Sequence, residues 1–579
     1  MALLVGTMWF VRYFHSGAFG LYEDDFTHLP RAAEMTTQEV LRFALESIGT
    51  YPWQGHPLHQ VWIYLLGHVS WTLFDLRGVY LVGFTLVALN VGLFYALMRR
   101  VSGAPLGLTA GLAYVLYSAD TTQAFLTHSL GLQPSITLLL LALHTYVSRR
   151  KWVPYVFISL AILTYETTFA VFLAAPLLIA PWDRAWRRIA LRHSVAMVLI
   201  LTGVIGLRVA MGEARVSSLG AADILRVPIV HMVEGPPVAL ATYLYRPTEV
   251  IMALDRELGI VAIVATVVFT GVLWLARPGL EQREQGQAGS AGSRVPEADQ
   301  KLMTLGRLWA RLRPESQSLL RLCGVGLVML ILAYPLTFTV RAYALSGRDT
   351  RVHSAGVVGA SFVMGSLMLG ALKIGEAHRR SVLITSVLGT WLGLLAAYGF
   401  VVQRDYVTGW ELQKSFWSEL VPLVPDVGER TVILVDPEGL RDTSQIGANY
   451  WNLPRVLRQL YVFPSAWAAV PRVYRLVPEW KDHILNEEGR LVLGPNTVFG
   501  PVFGTEAVDP SDAVLILSAG GRLERVPGPY GIGDTVVHFR STTRVGEPDY
   551  PLGFLHKYLV LERGRVMDPP WSRPMDLDG

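Results

Sequence analysis

Three consecutive carboxylates, Glu23-Asp24-Asp25, follow the first hydrophobic segment, Ala2 to Phe19. Few acidic residues occur elsewhere before Arg99-Arg100. A carboxylate within hydrogen-bond reach of a hydroxyl can take its proton as that oxygen attacks an electrophilic carbon. Asp24 and Asp25 are therefore the candidate catalytic pair. The plain alternative is a solvated acidic loop; the position directly after a hydrophobic segment favours the base.

A second cluster, Gly347-Arg348-Asp349-Thr350-Arg351-Val352-His353, leads into an apolar run beginning at Ala355. Guanidinium groups bind phosphate oxygens through paired hydrogen bonds, and a departing phosphate needs fixed cations for its growing charge. If the reaction releases a phosphate from a donor, Arg351 and His353 are the first candidates to hold it, with Arg348 and Arg341 behind them. Arginines snorkelling at a helix end would give the same pattern. Glu166, beside Tyr165 in the middle of an apolar stretch, is an ionisable group at membrane depth, where such groups are costly and serve function or pairing. Tyr165, Glu166 and His56 are the candidate substrate-binding residues, and Asp120 and His128 are weaker members of the same set.

These residues sit in a chain of 579 residues that is 52% hydrophobic and 17% charged. A soluble chain carries nearer a quarter charged residues. Apolar runs of roughly 18 residues or more, the length of a membrane span, recur as far as Val402. The formal charge of +4 does not indicate nucleic acid, because the basic residues cluster beside helix ends, where membrane topology places them. The single cysteine, Cys323, excludes an internal disulfide and a cysteine-based metal cluster. The first segment lacks a charged leader and a small-residue exit, so it reads as an anchor, although Arg12 and His15 interrupt it.

Basic loops at Arg99-Arg100, at Arg149-Arg150-Lys151, across 183–192, across 277–321 and across 373–380 are cytoplasmic by the positive-inside rule. The loops across 20–57, 118–133, 212–257 and 341–353 then face outward, and the acidic cluster with them. Two parity arguments refine this. Leu58 to Phe74 and Val79 to Met98 are both apolar, yet only one of them can cross between the acidic loop and Arg99-Arg100; Leu58 to Phe74 is expected to lie at the interface. Trp152 to Trp182 has basic flanks at both ends and is too short for two full spans, so two short helices turning near Tyr165-Glu166 are expected. The total is about eleven crossings, with the N-terminus cytoplasmic.

The Gly/Ser/Gln-rich run across 281–300 reads as a disordered cytoplasmic linker. From Gln403 the composition changes. The stretches 431–435, 513–517 and 536–539 read as strands and 449–461 as a helix, so residues 403–579 form an extracytoplasmic α/β domain behind an all-α membrane domain of residues 1–402.

The acidic cluster after the first span, the loop through His56-Pro57, the span ending at Arg99-Arg100, the hairpin at Thr164-Tyr165-Glu166 and the large outer domain together resemble the GT-C superfamily of polyprenyl-phosphate-sugar-dependent glycosyltransferases, of the bacterial protein-mannosyltransferase and lipid-A-sugar-transferase type. The resemblance implies an inverting transfer of a sugar from a polyprenyl-phosphate donor to an acceptor hydroxyl of a glycan, lipid or protein at the outer face. It makes Asp24 the base and Asp25 its support. Superfamily members often carry Lys at the hairpin turn where Glu166 stands here, so no phosphate-binding role passes to that turn. Asp24, Asp25 and His56 lack a diagnostic metal-ligand spacing, so neither a metal nor another cofactor is expected beside the lipid-linked sugar. The rival readings are a lipid or sugar transporter or flippase, which requires charges at the bilayer midplane, and a non-catalytic membrane anchor for the outer domain.

Overall fold

The computed structural model describes residues 1–50, 55–179, 184–212, 221–276, 314–337, 342–436, 438, 440, 442–447, 453–499, 505–519 and 522–560. The linker across 281–300 and Arg341 lie outside these residues, as does the start of the expected helix at 449.

The chain is mostly helical. It opens with α1 (Ala2–Tyr13), a turn, and the short helices α2 (Asp25–Glu34) and α3 (Thr37–Thr50). Next come α4 (Pro57–Ser102), α5 (Ala104–Val115), α6 (Leu126–Gly131), α7 (Gln133–Val147) and α8 (Val153–Thr164). Two 3₁₀ segments, Glu166–Thr168 and Ala170–Leu178, lead to α9 (Arg184–Ala210), α10 (Ala221–Met252), α11 (Arg256–Leu275), α12 (Pro314–Ile331), α13 (Gly356–Ala377) and α14 (Ser381–Leu423). Among the described residues, 6 helical stretches are long and apolar enough to cross a membrane: α4, the joined α6 and α7, α9, α11, α13 and α14. Shorter apolar helices, among them α5, α8 and α12, fill the space between them. Large aliphatic side chains such as Leu199, Ile263, Val267 and Leu383 point away from the protein on these helices, which requires an apolar solvent around them. The chain is thus a multi-pass membrane protein; the expected eleven crossings are not reproduced as a count of long helices.

Both parity arguments correspond to breaks in the backbone. The helix α4 is interrupted at Phe74 and Asp75, and Asp75 adopts φ 58, a left-handed conformation that a non-glycine residue adopts only with support. The Tyr558 hydroxyl donates to Asp75 Oδ1 at 2.7 Å. The hairpin after α8 turns at Tyr165, which is extended, and returns through the 3₁₀ segment Ala170–Leu178.

One expectation is corrected. The stretch across 212–257, expected as an outer loop, contains the 32-residue helix α10 with Pro228, Pro236, Pro237 and Pro247 inside it. The expectation came from the place of this stretch between basic cytoplasmic loops; the helix forms although each proline deprives the carbonyl four residues back of its donor. Tertiary partners supply the loss. For Pro247 that carbonyl belongs to Tyr243, and Trp391 Nε1 of α14 donates to it at 2.7 Å. The Tyr243 hydroxyl in turn donates to Ala113 O at 2.6 Å, and Gly235 lies flat against the Tyr334 ring.

After Gln403 the composition changes but the helix does not: α14 continues to Leu423 and buries Phe416, Trp417, Leu420 and Val421 in the next domain. That domain holds strands β1 (Val432–Val435), β2 (Arg472–Leu476), β3 (Leu491–Leu493), β4 (Val498–Phe499), β5 (Glu506–Val508), β6 (Ala513–Ala519), β7 (Arg522–Arg525), β8 (Pro529–Ile532) and β9 (Thr535–His538). The main sheet has the order β4-β2-β1-β6-β7. Its centre is parallel, with Val432 opposite Arg472 on one side and Ala513 on the other. Every residue of β1 is buried, as expected of a parallel strand covered on both faces. The strand expected at 536–539 is β9, which pairs with β8 in a separate hairpin. A helix at Leu453–Leu460, α15, lies against β2, and the short α16 (His556–Leu559) lies against α14.

Glycines let α12 and α13 touch. A Cβ at Gly359 would sit 2.3 Å from Leu330 N, and one at Gly326 would sit 2.5 Å from Phe362 Cβ. Close backbone approach of this kind is the usual device for packing apolar helices without a hydrophobic driving force. Gly359→Val is expected to separate the pair and lower the melting temperature of the detergent-solubilised protein, by the equivalent of about 1–3 kcal/mol; a melt equal to wild type would show that the contact is not needed.

Candidate active site

The acidic cluster is built by a strained turn. Tyr22 is fully buried; its hydroxyl donates to Tyr406 O at 2.5 Å and its ring stacks on Phe125. Gln413 Nε2 of α14 donates to Leu21 O at 3.1 Å. With this segment fixed, Glu23 adopts φ 48, and α2 starts at once with Asp24 as its N-cap. The turn separates Asp25 from the other two carboxylates.

Glu23 and Asp24 converge on one cation. Arg348 Nε lies 3.1 Å from Glu23 Oε2, and Arg348 Nη2 lies 2.9 Å from Asp24 Oδ2. Burial works to lower the Arg348 pKa, but Asp24 and Glu23 outweigh it and raise it overall. Glu23 is 1% exposed, whereas the Asp24 side chain is 31% exposed and lines a cavity. Asp25 faces the other way. Its carboxylate accepts from Thr127 N at 2.8 Å and from Tyr22 N and Leu126 N at 3.2 Å each, and it does not line the cavity. Burial pushes the Asp25 carboxyl up to about 7, against the pull of these amides. Asp25 therefore ties the turn to the start of α6 and does not face substrate space, unlike the supporting role expected for it.

The cavity gathers residues from six parts of the chain: Asp24 and His28, then His56, His59 and Gln60, then Thr127 and His128, then Tyr165 and Glu166, then Thr337, and finally Arg348 and Arg351. Asp24, His56, Tyr165, Glu166, Arg348 and Arg351 were all singled out in the sequence, and the fold brings them to one place. His353 does not line it. The His353 ring is fully buried between the Tyr334 hydroxyl at 2.8 Å and Ala344 O at 2.9 Å, so it fixes the loop and has no ring nitrogen left for a phosphate. Asp120 is also turned away, its Oδ1 accepting from Thr122 N and Oγ1 at 2.9 and 2.8 Å. His128 does reach the cavity and bonds Thr122 Oγ1 at 2.9 Å. Arg12, which interrupts the first hydrophobic segment, bonds Tyr117 O and Asp120 O and so ties down the segment that follows α5.

Two cations differ in their company. Arg208, near the end of α9, was not foreseen; its Nη2 lies 3.1 Å from Glu166 Oε2 and 3.2 Å from His56 Nδ1, while His56 Nδ1 and Glu166 Oε2 are 2.8 Å apart. The available signal was an arginine at the far end of an apolar run whose other end is already rich in arginine. Arg351 has a buried Nε with no hydrogen-bond partner among the described residues. His28, whose pKa burial lowers to about 4, is uncharged at neutral pH and forms part of the wall near Asp24.

No family model matches the chain, and no curated protein matches it. Two solved structures of ArnT from Cupriavidus metallidurans are similar to it, one bound to undecaprenyl phosphate and one in the apo state. Both are 18% identical and cover 75% of this chain and 82% and 81% of their own, with TM-scores of 0.30 and 0.29. A likeness this distant does not bear on the chemistry of the cavity.

Asp25→Ala is expected to strip three buried amides of their acceptor, at about 1–3 kcal/mol for each group left unpaired, and to lower the melting temperature more than Asp25→Asn, which keeps one acceptor oxygen. Equal melts for the two variants would contradict the anchoring role.

Proposed function

We propose that this protein is a membrane glycosyltransferase that moves a sugar from a polyprenyl-phosphate donor to an acceptor hydroxyl at the extracytoplasmic face. The observation that carries the reading is one cavity lined both by a partly exposed carboxylate, Asp24, and by a half-buried arginine, Arg351, whose Nε has no hydrogen-bond partner among the described residues. A single inverting displacement needs these two features on either side of an anomeric carbon. The acceptor oxygen forms its bond to that carbon and gives its proton to Asp24. The bond from the carbon to the phosphate oxygen breaks, and the electron pair leaves with the phosphate, whose charge Arg351 stabilises. Phosphate needs no proton to depart, so the reaction asks for one base and one cation.

Arg348 changes place in this scheme. Its charge is already balanced by Glu23 and Asp24, so it serves as the holder of the base. The Arg348 contact at 2.9 Å fixes the direction of the Asp24 carboxylate. The His56–Glu166–Arg208 group then forms the opposite wall, with the His56 ring stacked on Tyr165 at 5.3 Å, and supplies hydrogen-bonding groups for the sugar or phosphate. Glu23 and Asp24 lie at the head of α2, which packs against α15 of the C-terminal domain, and not within an apolar helix, which favours transfer chemistry over transport.

The test is a transfer assay with labelled polyprenyl-phosphate sugars and the intact protein. Asp24→Asn is expected to lose about 10²–10⁴-fold in rate, the worth of a general base, and full activity in that variant would remove Asp24 from the reaction. Arg351→Ala is expected to raise the donor KM and lower kcat, while Arg351→Lys, a point charge without the planar fork, recovers only part of both. A donor KM unchanged in Arg351→Ala would overturn the phosphate assignment.

A further inference from the structure

The loop that carries Arg348 and Arg351 is not held by the membrane helices alone. Its entry residue Gly347 adopts φ 71, a left-handed conformation that suits glycine. The Gly347 amide donates at 2.8 Å to Gln445 O, and Gln445 belongs to the loop that follows β1 in the C-terminal domain. The same carbonyl accepts from Thr121 Oγ1 at 2.8 Å. Thr121 also reaches Thr350 in the arginine loop, through its amide at 3.2 Å and its hydroxyl at 3.0 Å.

The Gln445 side chain is anchored as firmly. Its Oε1 accepts from Tyr398 Oη at 2.7 Å and from Arg246 Nη1 at 3.1 Å, and its backbone amide donates to Asp405 of α14. Arg246 also bonds Leu345 O, two residues before Gly347, and pairs with Glu249 at 2.7 Å. The neighbouring Ile446 is fully buried in a core shared by α2, α4, α14 and the sheet. A residue of the C-terminal domain thus meets α10, α14, the Thr121 segment and the arginine loop at one point.

We propose that the C-terminal domain completes the active site: Gln445 is a positioning residue that fixes the arginine loop, and through it Arg351 and the Arg348–Asp24 pair. The domain is therefore more than a platform for acceptor. Its loop 442–447 couples whatever moves the domain to the geometry of the phosphate clamp. The kinetic part of the proposal rests on the function proposed above; the structural part does not.

The experiment uses the full-length protein in detergent or nanodiscs and has two readouts. In Gln445→Met, which keeps the side-chain volume but removes the acceptor for Tyr398 and Arg246, hydrogen exchange across 347–353 is expected to quicken while strands β1 and β6 stay as protected as in wild type. Donor KM is expected to rise about tenfold, the scale of one hydrogen bond. Gln445 Nε2 also faces Glu249 Oε2 at 3.4 Å, so the rescue is Gln445→Glu combined with Glu249→Gln, which keeps both acceptor contacts without opposing two carboxylates and is expected to restore both readouts; Thr121→Val supplies an independent loss of the same junction. Unchanged exchange at 347–353 in both loss variants, or quickened exchange with donor KM unchanged, overturns the proposal. A rescue variant as impaired as the Met variant overturns the assignment to the side-chain oxygen. If wild type transfers no sugar, the functional reading fails and the exchange result alone decides the positioning role.

Discussion

The pairing of Arg348 with Glu23 and Asp24 is the constraint on which the site depends. It joins residues more than three hundred positions apart in a partly dry pocket, where an uncompensated charge on either side would be costly. Such a pair is a poor source of net stability, since burial removes much of what the attraction returns. Its value lies in direction. Glu23 Oε2 occupies the Nε position of the guanidinium and Asp24 Oδ2 the Nη2 position, and of the two carboxylates Asp24 is the one that lines the cavity. The positive φ of Glu23 is the local cost of that division.

Around this pair the molecule is organised by long helices that leave the apolar region without ending. Helix α14 carries apolar residues that face lipid near its start and aromatic residues that form the floor of a soluble domain near its end. A continuous helix transmits position along its length better than a loop would, so the parallel sheet is held in fixed register with the cavity. Tyr406 illustrates this economy: its carbonyl receives Tyr22 and its hydroxyl donates to Thr121 O at 2.9 Å, so one residue of α14 aligns both the acidic turn and the Thr121 segment.

Much of this was legible in the residues, for identifiable reasons. Charge at the ends of apolar runs and the parity of crossings located the breaks at Phe74 and at Tyr165-Glu166, because membrane geometry admits few alternatives. Residue type located seven members of the cavity, His128 among them, because polar and ionisable groups beside apolar runs are seldom idle. What escaped was whatever depends on a distant partner. Helix α10 escaped because 212–257 was placed by the charge of its neighbours alone, and the indole that satisfies Tyr243 O beneath Pro247 belongs to α14. Asp24 and Asp25 are equivalent as neighbours in sequence, and only a positive φ one residue earlier sends them to different faces. His353 has the composition of a phosphate ligand, yet both ring nitrogens are engaged by Tyr334 and Ala344, a fact of packing that spacing does not carry.

The bond from Tyr558 to the displaced Asp75 has a bearing on how the molecule is made. Asp75 is synthesised early, and its partner lies 483 residues later in the chain. The bend in α4 thus gains this support only after the 483 residues that separate the two partners have been made and α16 has docked. Contacts of such separation form late because the intervening chain must first be ordered. Chains cut short before α16 would insert their apolar segments and still lack the bond that holds the bend.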